Sequence, residues 1–129
     1  MEYKTIRNRG EDEFIERRSR FIGHIAPVKT EEEALAFLEE VRAANREANH
    51  NCYAYVLREG QIRRYSDDGE PQGTAGVPIL EVLLRNELVD VCAVVTRYFG
   101  GVLLGAGGLV RSYSTGASIA VAAGGIMTM

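Results

Sequence analysis

The stretch that organises this chain runs from Ser66 to Arg111 and reads SDDGEPQGTAGVPILEVLLRNELVDVCAVVTRYFGGVLLGAGGLVR. Its middle, from Leu88 to Phe99, is apolar almost without a break, which is typical of a central strand covered on both faces. Glycine is costly inside helices and strands, and here it clusters on both sides of that strand. The stretch therefore predicts a central strand whose flanking backbone turns sharply or is closely approached, which favours a binding surface over a reaction centre.

Hydrophobic periodicity around that stretch predicts the remaining elements. Thr30 followed by Glu33 forms a capping box, which begins a helix expected to run to about Ala48. Extended segments are expected within residues 12–28, over 52–58 and over 62–65, and further helices over 77–84 and 109–123. Three helices interspersed with strands predict an α+β fold, a mixed β-sheet layered against helices.

Composition limits what the protein does. The chain has 129 residues, of which 46% are hydrophobic, and its formal net charge is −3. This length suits one compact domain, and this charge provides no overall attraction to nucleic acid or to an anionic membrane. No apolar segment is long enough for a signal or a span, so we expect a cytoplasmic protein with no membrane partner, and not a DNA sequence reader. Cys52 and Cys92 lie in apolar surroundings typical of buried free thiols.

The glycine clusters match neither standard phosphate-binding motif. A dinucleotide loop requires G-x-G-x-x-G, but Val110 occupies the place of the third glycine after Gly105 and Gly107. A P-loop requires a lysine where Ala106 follows Gly105. The clusters still favour free backbone amides that bind an anion, with tight turns and helix–sheet packing as the alternative. No cofactor and no metal is predicted.

Acidic and thiol chemistry leaves further alternatives open. Asp67 and Asp68, with Glu70, either bind a metal or share a proton, or they form an acidic turn that caps the following segment. His50, close to Cys52, is either a general base for a thiol or a strand-start histidine held by hydrogen bonds. His24 is expected to be half-exposed on its strand. Since no nucleophile–base pair or metal cluster can be assembled, the sequence predicts a protein that is not an enzyme.

The arginines indicate a binding function more strongly than the acidic residues and thiols do. The arginines that recur in clusters or beside aromatic residues are Arg17, Arg18, Arg20, Arg63, Arg64, Arg97 and Arg111. An arginine followed by aromatics, as at Arg97, occurs both in nucleic-acid surfaces and in ordinary strand packing. One hypothesis places Arg97, Arg111 and the amides of residues 73–76 and 105–108 around a shared concavity, with Asp67 or Asp68 orienting a guanidinium. The alternative buries Arg97 in a salt bridge with one of those two aspartates.

Five segments resemble the IMPACT family, also called YigZ-like proteins, and together they cover essentially the whole chain: RFIG at 20–23, HNCYAY at 50–55, SDDGEP at 66–71, GTAGVPIL at 73–80 and VVTRYFGG at 94–101. The resemblance implies the N-terminal domain of that family, a β-sheet covered by helices. This domain is similar to the second domain of a small-subunit ribosomal protein and to domain IV of elongation factor G. Bacterial members carry a second, ferredoxin-like domain, so we expect a single domain over residues 1–129 that ends where the second would begin.

The resemblance also implies a link to translation. In eukaryotic relatives the family regulates translation in the stress response to amino-acid starvation, and the partner-binding extension used there is absent from this sequence, so that specific role is not expected here. The leading hypothesis is a non-enzymatic regulatory domain that contacts RNA, the ribosome or a translation-associated protein. The alternatives are a protein-interaction module without nucleic-acid binding and a small-molecule or phosphate-ester enzyme of unknown substrate.

The candidate binding residues lie in the resemblance segments, the glycine clusters and the arginine clusters. They are Arg18, Arg20, His50, Asn51, Tyr53, Ser66, Asp67, Asp68, Gly73, Thr74, Gly76, Arg97, Tyr98, Gly100, Gly101, Gly105, Gly107, Gly108 and Arg111.

Overall fold

Seven strands and three helices make up the computed structural model, which describes all residues from 1 to 129. The strands are β1 (Lys4–Ile6), β2 (Gly10–Glu16), β3 (Ser19–Pro27), β4 (His50–Leu57), β5 (Ile62–Ser66), β6 (Val91–Tyr98) and β7 (Ile126–Thr128). The helices are α1 (Glu31–Ala44), α2 (Gly76–Arg85) and α3 (Gly105–Gly124). None of the three helices is long and apolar enough to cross a lipid bilayer.

The main sheet has five strands in the order β2-β3-β6-β4-β5, and every neighbouring pair is antiparallel. Strand β6 lies in the centre and is buried from Val91 to Arg97, because helices cover both faces of the sheet. The prediction of an α+β fold with a doubly covered central strand is confirmed.

Two hydrophobic cores lie on opposite faces of the sheet. On one face, α2 and α3 bury residues such as Ile79, Leu83 and Tyr113 against the sheet. On the other face, α1 buries the residues whose helical spacing the sequence shows: Ala34, Phe37, Leu38 and Val41. Alternating side chains of one strand therefore have different surroundings, and candidate residues on the same strand are divided between the two faces.

Helix α1 begins at the expected cap and ends earlier than expected. The Glu33 amide donates to Thr30 Oγ1 at 3.1 Å, while the Glu33 carboxylate accepts from the Lys29 amide at 2.9 Å. The helix ends at Ala44 instead of about Ala48, because the Asn45 side chain donates to the Val41 carbonyl at 2.9 Å and closes the last turn.

Strands β1 and β7 and the start of helix α3 differ from the sequence expectation. Strands β1 and β7 pair with each other in a small separate sheet, and neither is long enough to show a strand period. Helix α3 begins at Gly105, not at Leu109, so the last glycine cluster forms its first turn.

Candidate functional site

One end of the main sheet brings together most of the segments that the sequence singles out. His50 at the start of β4 is opposite Arg97 near the end of β6, and Arg20 at the start of β3 is opposite Tyr98. The β2–β3 turn, the acidic loop before α2 and the first turn of α3 lie around this end, because each adjoins one of these strands or contacts it.

A buried ion pair between Arg97 and Glu70 lies at the centre of this end. Arg97 Nη1 donates to Glu70 Oε2 at 2.9 Å, and the two side chains are only 6% and 4% exposed. Arg97 Nε donates to Ser19 Oγ at 3.2 Å, and the guanidinium lies 5.2 Å from the ring centre of Phe99. The predicted salt bridge of Arg97 with Asp67 or Asp68 is therefore wrong in its partner, since the carboxylate is that of Glu70.

Glu70 also contacts two further polar side chains. The Tyr113 hydroxyl donates to Glu70 Oε2, and His50 Nε2 lies 3.5 Å from Glu70 Oε1. Burial raises the pKa of Tyr113 far above its usual range, and the neighbouring Cys52 and Glu70 raise it further, so the hydroxyl stays protonated and donates. Glu70 thus connects the acidic loop, β6 and α3 through one desolvated carboxylate.

Asp67 caps the start of α2 and does not orient an arginine. Its carboxylate accepts from the amides of Gly73 at 3.0 Å, Ala75 at 3.1 Å and Gly76 at 2.8 Å. Partial burial raises the pKa of Asp67, but the three amide hydrogen bonds lower it more, and the net pKa is below the usual value. The amides of residues 73–76 are therefore engaged within the chain. Thr74 is buried beside them, and its hydroxyl donates to the Pro71 carbonyl.

Asp68 fastens the same loop to the start of β4. Its carboxylate accepts from the Asn51 amide at 2.7 Å, and its carbonyl accepts from His50 Nδ1 at 2.9 Å. Ser66 Oγ accepts from the Asp68 amide at 3.1 Å. The two aspartates accept hydrogen bonds from different backbone amides. No group of three or more His, Cys, Asp and Glu side chains is arranged to hold a metal ion. This geometry agrees with the acidic-turn alternative.

Cys52 is not available as a nucleophile for His50. The thiol is fully buried and its Sγ donates to the Asp67 carbonyl at 3.0 Å. Burial raises the pKa of Cys52 well above its usual range, so the thiol stays protonated. Cys92 is also a buried free thiol, and burial raises its pKa to about 12.

Four candidate residues lie on the other face of the sheet, toward α1. Asn51 Oδ1 accepts from Thr96 Oγ1 at 2.7 Å, and Tyr98 donates its hydroxyl to Asn45 Oδ1 at 2.7 Å. Arg20 lies over the Tyr98 ring and pairs with Glu13 at 2.9 Å, while the half-buried Tyr53 stacks on Tyr55. The candidate list therefore joins residues of two faces that do not form one site.

His24 lies on this same face and is buried, not half-exposed as expected. Its side chain is 9% exposed, because α1 and the neighbouring strands surround it. Its Nε2 is 3.1 Å from Thr96 Oγ1, and its Nδ1 is 3.3 Å from Glu11 Oε1.

The glycines after β6 allow a close approach of the β2–β3 turn. A side chain at Gly100 would collide with the backbone carbonyl of Arg18, so only glycine permits this packing. Gly101 and Gly105 have φ angles of 88° and 76°, which shape the connection to α3. Gly107 and Gly108 follow in the first turn of α3, next to the Arg111 guanidinium.

We define the arginine surface as Arg17, Arg18 and Arg111, three exposed cations that form no ion pair within the chain. Arg17 and Arg111 line a cleft of about 330 Å³ together with Gly108 and Glu16, and Arg18 packs on Gly100 nearby.

We define the apolar cleft as a second opening, of about 380 Å³, at the same end of the sheet. Its floor contains His50, Glu70 and Arg97, and its walls contain Phe99, Leu103, Leu104, Leu109 and the first residues of α3. Of the groups expected around one shared concavity, Arg97 and Gly105 lie in this cleft, Arg111 lines the neighbouring one, and the amides of residues 73–76 line neither.

Sequence reasoning missed Tyr113 and Ser19 as partners of the buried ion pair, and it considered Glu70 only together with Asp67 and Asp68. Tyr113 carries a usable signal: it falls at helical spacing with Leu109 and Ala117 on the inward side of α3, and a buried tyrosine hydroxyl requires an acceptor.

Comparisons with known proteins agree with this fold. The family model of the Impact N-terminal domain matches residues 17–121. The IMPACT family member YvyE of Bacillus subtilis is 52% identical over 117 residues, which are 90% of this chain and 54% of YvyE. The IMPACT family member YigZ of Escherichia coli is 45% identical over 81% of this chain and 53% of YigZ. The chain thus spans about half the length of these relatives.

Among solved structures, a crystal structure of a hypothetical protein matches 99% of this chain and 64% of its own, with a TM-score of 0.93 and 37% identity. A structure of Yih1, described as a two-domain translational regulator, matches 93% of this chain and 45% of its own, with a TM-score of 0.52 and 27% identity.

Proposed function

The chain belongs to the IMPACT family, and from that premise we propose that it is a non-enzymatic domain of a translation regulator that binds structured RNA, as the ribosome presents it, through the arginine surface. The structural similarity to Yih1, described as a translational regulator, supports the link to translation. The arginine surface supports RNA as the direct contact.

The observation that carries this proposal is the backbone conformation of the β2–β3 turn. Arg17 and Arg18 connect the two strands with φ angles of 45° and 70°. Two-residue turns with both φ angles positive favour Asn-Gly, because other side chains are strained there. Both arginines are exposed and have no acidic partner in the chain, so no internal ion pair accounts for arginine at these two strained positions. A binding role for the two charges accounts for their presence.

The surroundings of the turn add to its positive potential. Gly100 lets the turn pack beside the connection to α3, and α3 begins with no acidic residue in its first turn. The positive end of that helix and Arg111 therefore lie on the same side as the turn. Glu16 lies in the Arg17–Arg111 cleft and offsets part of this charge. Because salt screens charges beyond about 10 Å, such a local cluster attracts phosphate despite a net charge of −3.

Fluorescence anisotropy with a structured RNA and co-sedimentation with isolated ribosomes, each at low and moderate salt, test the proposal. The double variant Arg17→Asn/Arg18→Gly removes both charges and supplies the residues that this turn prefers. We expect it to melt no lower than the parent protein while its RNA affinity falls about tenfold or more, as for the loss of two phosphate contacts.

The matched control is Arg85→Ala, which removes another exposed, unpaired cation at the C-terminal end of α2. It should leave RNA binding unchanged. Full RNA affinity in the turn variant, or no salt-sensitive binding by the parent protein, would contradict the proposal. Ribosome association that survives nuclease treatment would instead favour the protein-interaction alternative.

A further inference from the structure

The apolar cleft differs in chemistry from the arginine surface, and RNA binding does not require it. We propose that this cleft binds a carboxylate carried on an apolar body, either a small carboxylic acid or the C-terminal residue of a polypeptide.

The first argument is a hydrogen-bond donor left over on Arg97. Its Nη1 donates to Glu70 and its Nε to Ser19, whereas its Nη2 donates to no acceptor within the chain. The side chain is 6% exposed and lines the cleft. No buried side-chain nitrogen or oxygen lacks a partner, so Nη2 remains accessible to a ligand. A guanidinium forms its strongest hydrogen bonds with oxyanions, which makes an anionic group the fitting occupant.

The second argument is the uncapped start of α3 in the wall of the same cleft. The first amides of a helix have no partner within the helix and favour negative charge. Leu104 at the cap position offers no side-chain acceptor, and the first turn contains no acid. Gly105 and Ala106 line the cleft together with Arg97, so the start of the helix and the arginine border the same space.

The third argument is that the rest of the cleft favours a ligand with an apolar group and a single negative charge. Leu103 is 81% exposed and Phe99 is 43% exposed, and with Leu104 and Leu109 they surround the opening with apolar surface. Such walls favour an aliphatic or aromatic group over a phosphate chain. Glu70 already balances Arg97 at the floor, so a monoanion suits the cleft better than a doubly charged phosphate. The volume, about 380 Å³, is at the lower end of the range for small-molecule sites.

The test is an NMR titration of the ¹⁵N-labelled protein with N-acetyl-leucine and, as its uncharged analogue, N-acetyl-leucinamide. We expect saturable shifts in residues 99–109 with the acid and affinity about tenfold lower for the amide, which is the usual loss for one charge-assisted hydrogen bond. A short peptide ending in leucine, with its C-terminus free or amidated, distinguishes a polypeptide C-terminus from a small carboxylic acid as the ligand. Tighter binding of the free peptide than of N-acetyl-leucine would identify a polypeptide terminus, and the reverse a small acid. Inorganic phosphate should cause no saturable shift in these residues.

Ala106→Asp and Ala106→Asn provide a matched pair of variants at an exposed position of the cleft wall. An acid in the first turn stabilises a helix, so the aspartate variant should melt no lower than the parent protein. It should nevertheless bind N-acetyl-leucine about tenfold more weakly than the asparagine variant, because its charge repels the carboxylate. Arg17→Asn/Arg18→Gly should retain carboxylate binding. Equal affinity for the acid and the amide, no saturable shift with either, or equal affinity of the two Ala106 variants would overturn the proposal.

Discussion

Among single residues, Arg97 combines an observed structural role with the ligand-binding role that we propose for it. Two of its nitrogens donate to Glu70 and Ser19 inside the protein, while the third has no partner within the chain, on a side chain that lines the apolar cleft. A side chain that is held rigidly by internal partners presents its remaining donor at little entropic cost, which favours ligand binding.

Removing the Arg97 side chain should destabilise the fold strongly. We expect Arg97→Ala to cost about 3–5 kcal/mol, because it leaves the Glu70 carboxylate buried without its counter-charge. The double variant Arg97→Ala/Glu70→Ala should cost less than the sum of the two single variants. Urea denaturation measures all three. The control, Arg20→Ala, breaks an exposed pair with Glu13 and should cost about 1 kcal/mol or less. Equal costs for the two arginines would contradict a structural role for the buried pair.

His24 makes the free energy of unfolding depend on pH near neutrality. Burial lowers its pKa, and the facing carboxylate of Glu11 raises it by less, so the folded state disfavours the proton. The folded pKa lies below the unfolded value of about 6.5, so stability is complete above that value and declines as the pH falls below it. We expect thermal melts to show a smaller decline between pH 7 and pH 5 for His24→Gln than for the parent protein. Parallel declines would show that another group is responsible.

The residue scale also shows where sequence reasoning stops. The sequence singles out Arg97 and an acidic partner in the nearby loop, which the structure contains. It does not distinguish Glu70 from Asp67, because the choice depends on which carboxylate the loop turns inward. Asp67 is taken up by amides that follow it closely along the chain, whereas Glu70 reaches β6 across the fold.

Among the elements, the segment from Asp67 to α2 depends on one carboxylate. The cap residue of helix α2, Ala75, has no side-chain acceptor, and Asp67 supplies the missing acceptor from the preceding loop. This accounts for a helix that begins with Gly76 and Pro78 near its start, a combination with little intrinsic stability beyond the fixed proline geometry.

Asp67→Asn should destabilise the protein by about 1–3 kcal/mol at neutral pH, because an amide replaces a charged acceptor of three hydrogen bonds. The pKa of Asp67 is lower in the folded state than in the unfolded state. The contribution of its carboxylate to the free energy of unfolding is therefore complete at pH values above the unfolded pKa of about 3.9, and it is lost as the pH falls through the folded pKa. The difference between parent and variant in urea denaturation should therefore shrink in acid. Glu81→Gln, an exposed acid on α2 without an ion pair, should show no such difference.

Elements governed by local chemistry were predictable, and those governed by distant contacts were not. The Thr30 cap and the apolar spacing of α1 lie within one short segment, so the start of that helix follows from the sequence. Strands β1 and β7 exist because residues at the two ends of the chain meet, as in the pairing of Thr5 with Met127. The start of α3 was placed too late because its glycines have low helix propensity and the fold overrides it.

Across the whole molecule, the sheet order brings the arginine surface and the apolar cleft to one end. The β2–β3 turn, the end of β6 and the start of α3 are far apart in sequence and adjacent in space. Sequence reasoning singled out most of the segments at this end, while their division between two clefts and two sheet faces depends on strand order and register. The net charge of −3 describes neither cleft, because Arg17, Arg18 and Arg111 form no ion pair at the arginine surface, whereas Glu70 balances Arg97 in the apolar cleft.

The salt dependence of RNA binding should reveal how few charges carry it. If Arg17, Arg18 and Arg111 each meet one phosphate, the logarithm of the association constant should fall with the logarithm of salt concentration with a slope of about −2 to −3, at about 0.7 per contact for unpaired segments and about 0.9 for a duplex. Arg17→Asn/Arg18→Gly retains one of the three contacts, so its slope should be about −0.7 to −0.9. Anisotropy titrations at several salt concentrations measure both slopes, with Arg85→Ala as the variant that keeps the parent value. A slope that stays unchanged in the turn variant would move the RNA contact to other cations, such as Arg63 and Arg64 on the opposite edge of the sheet.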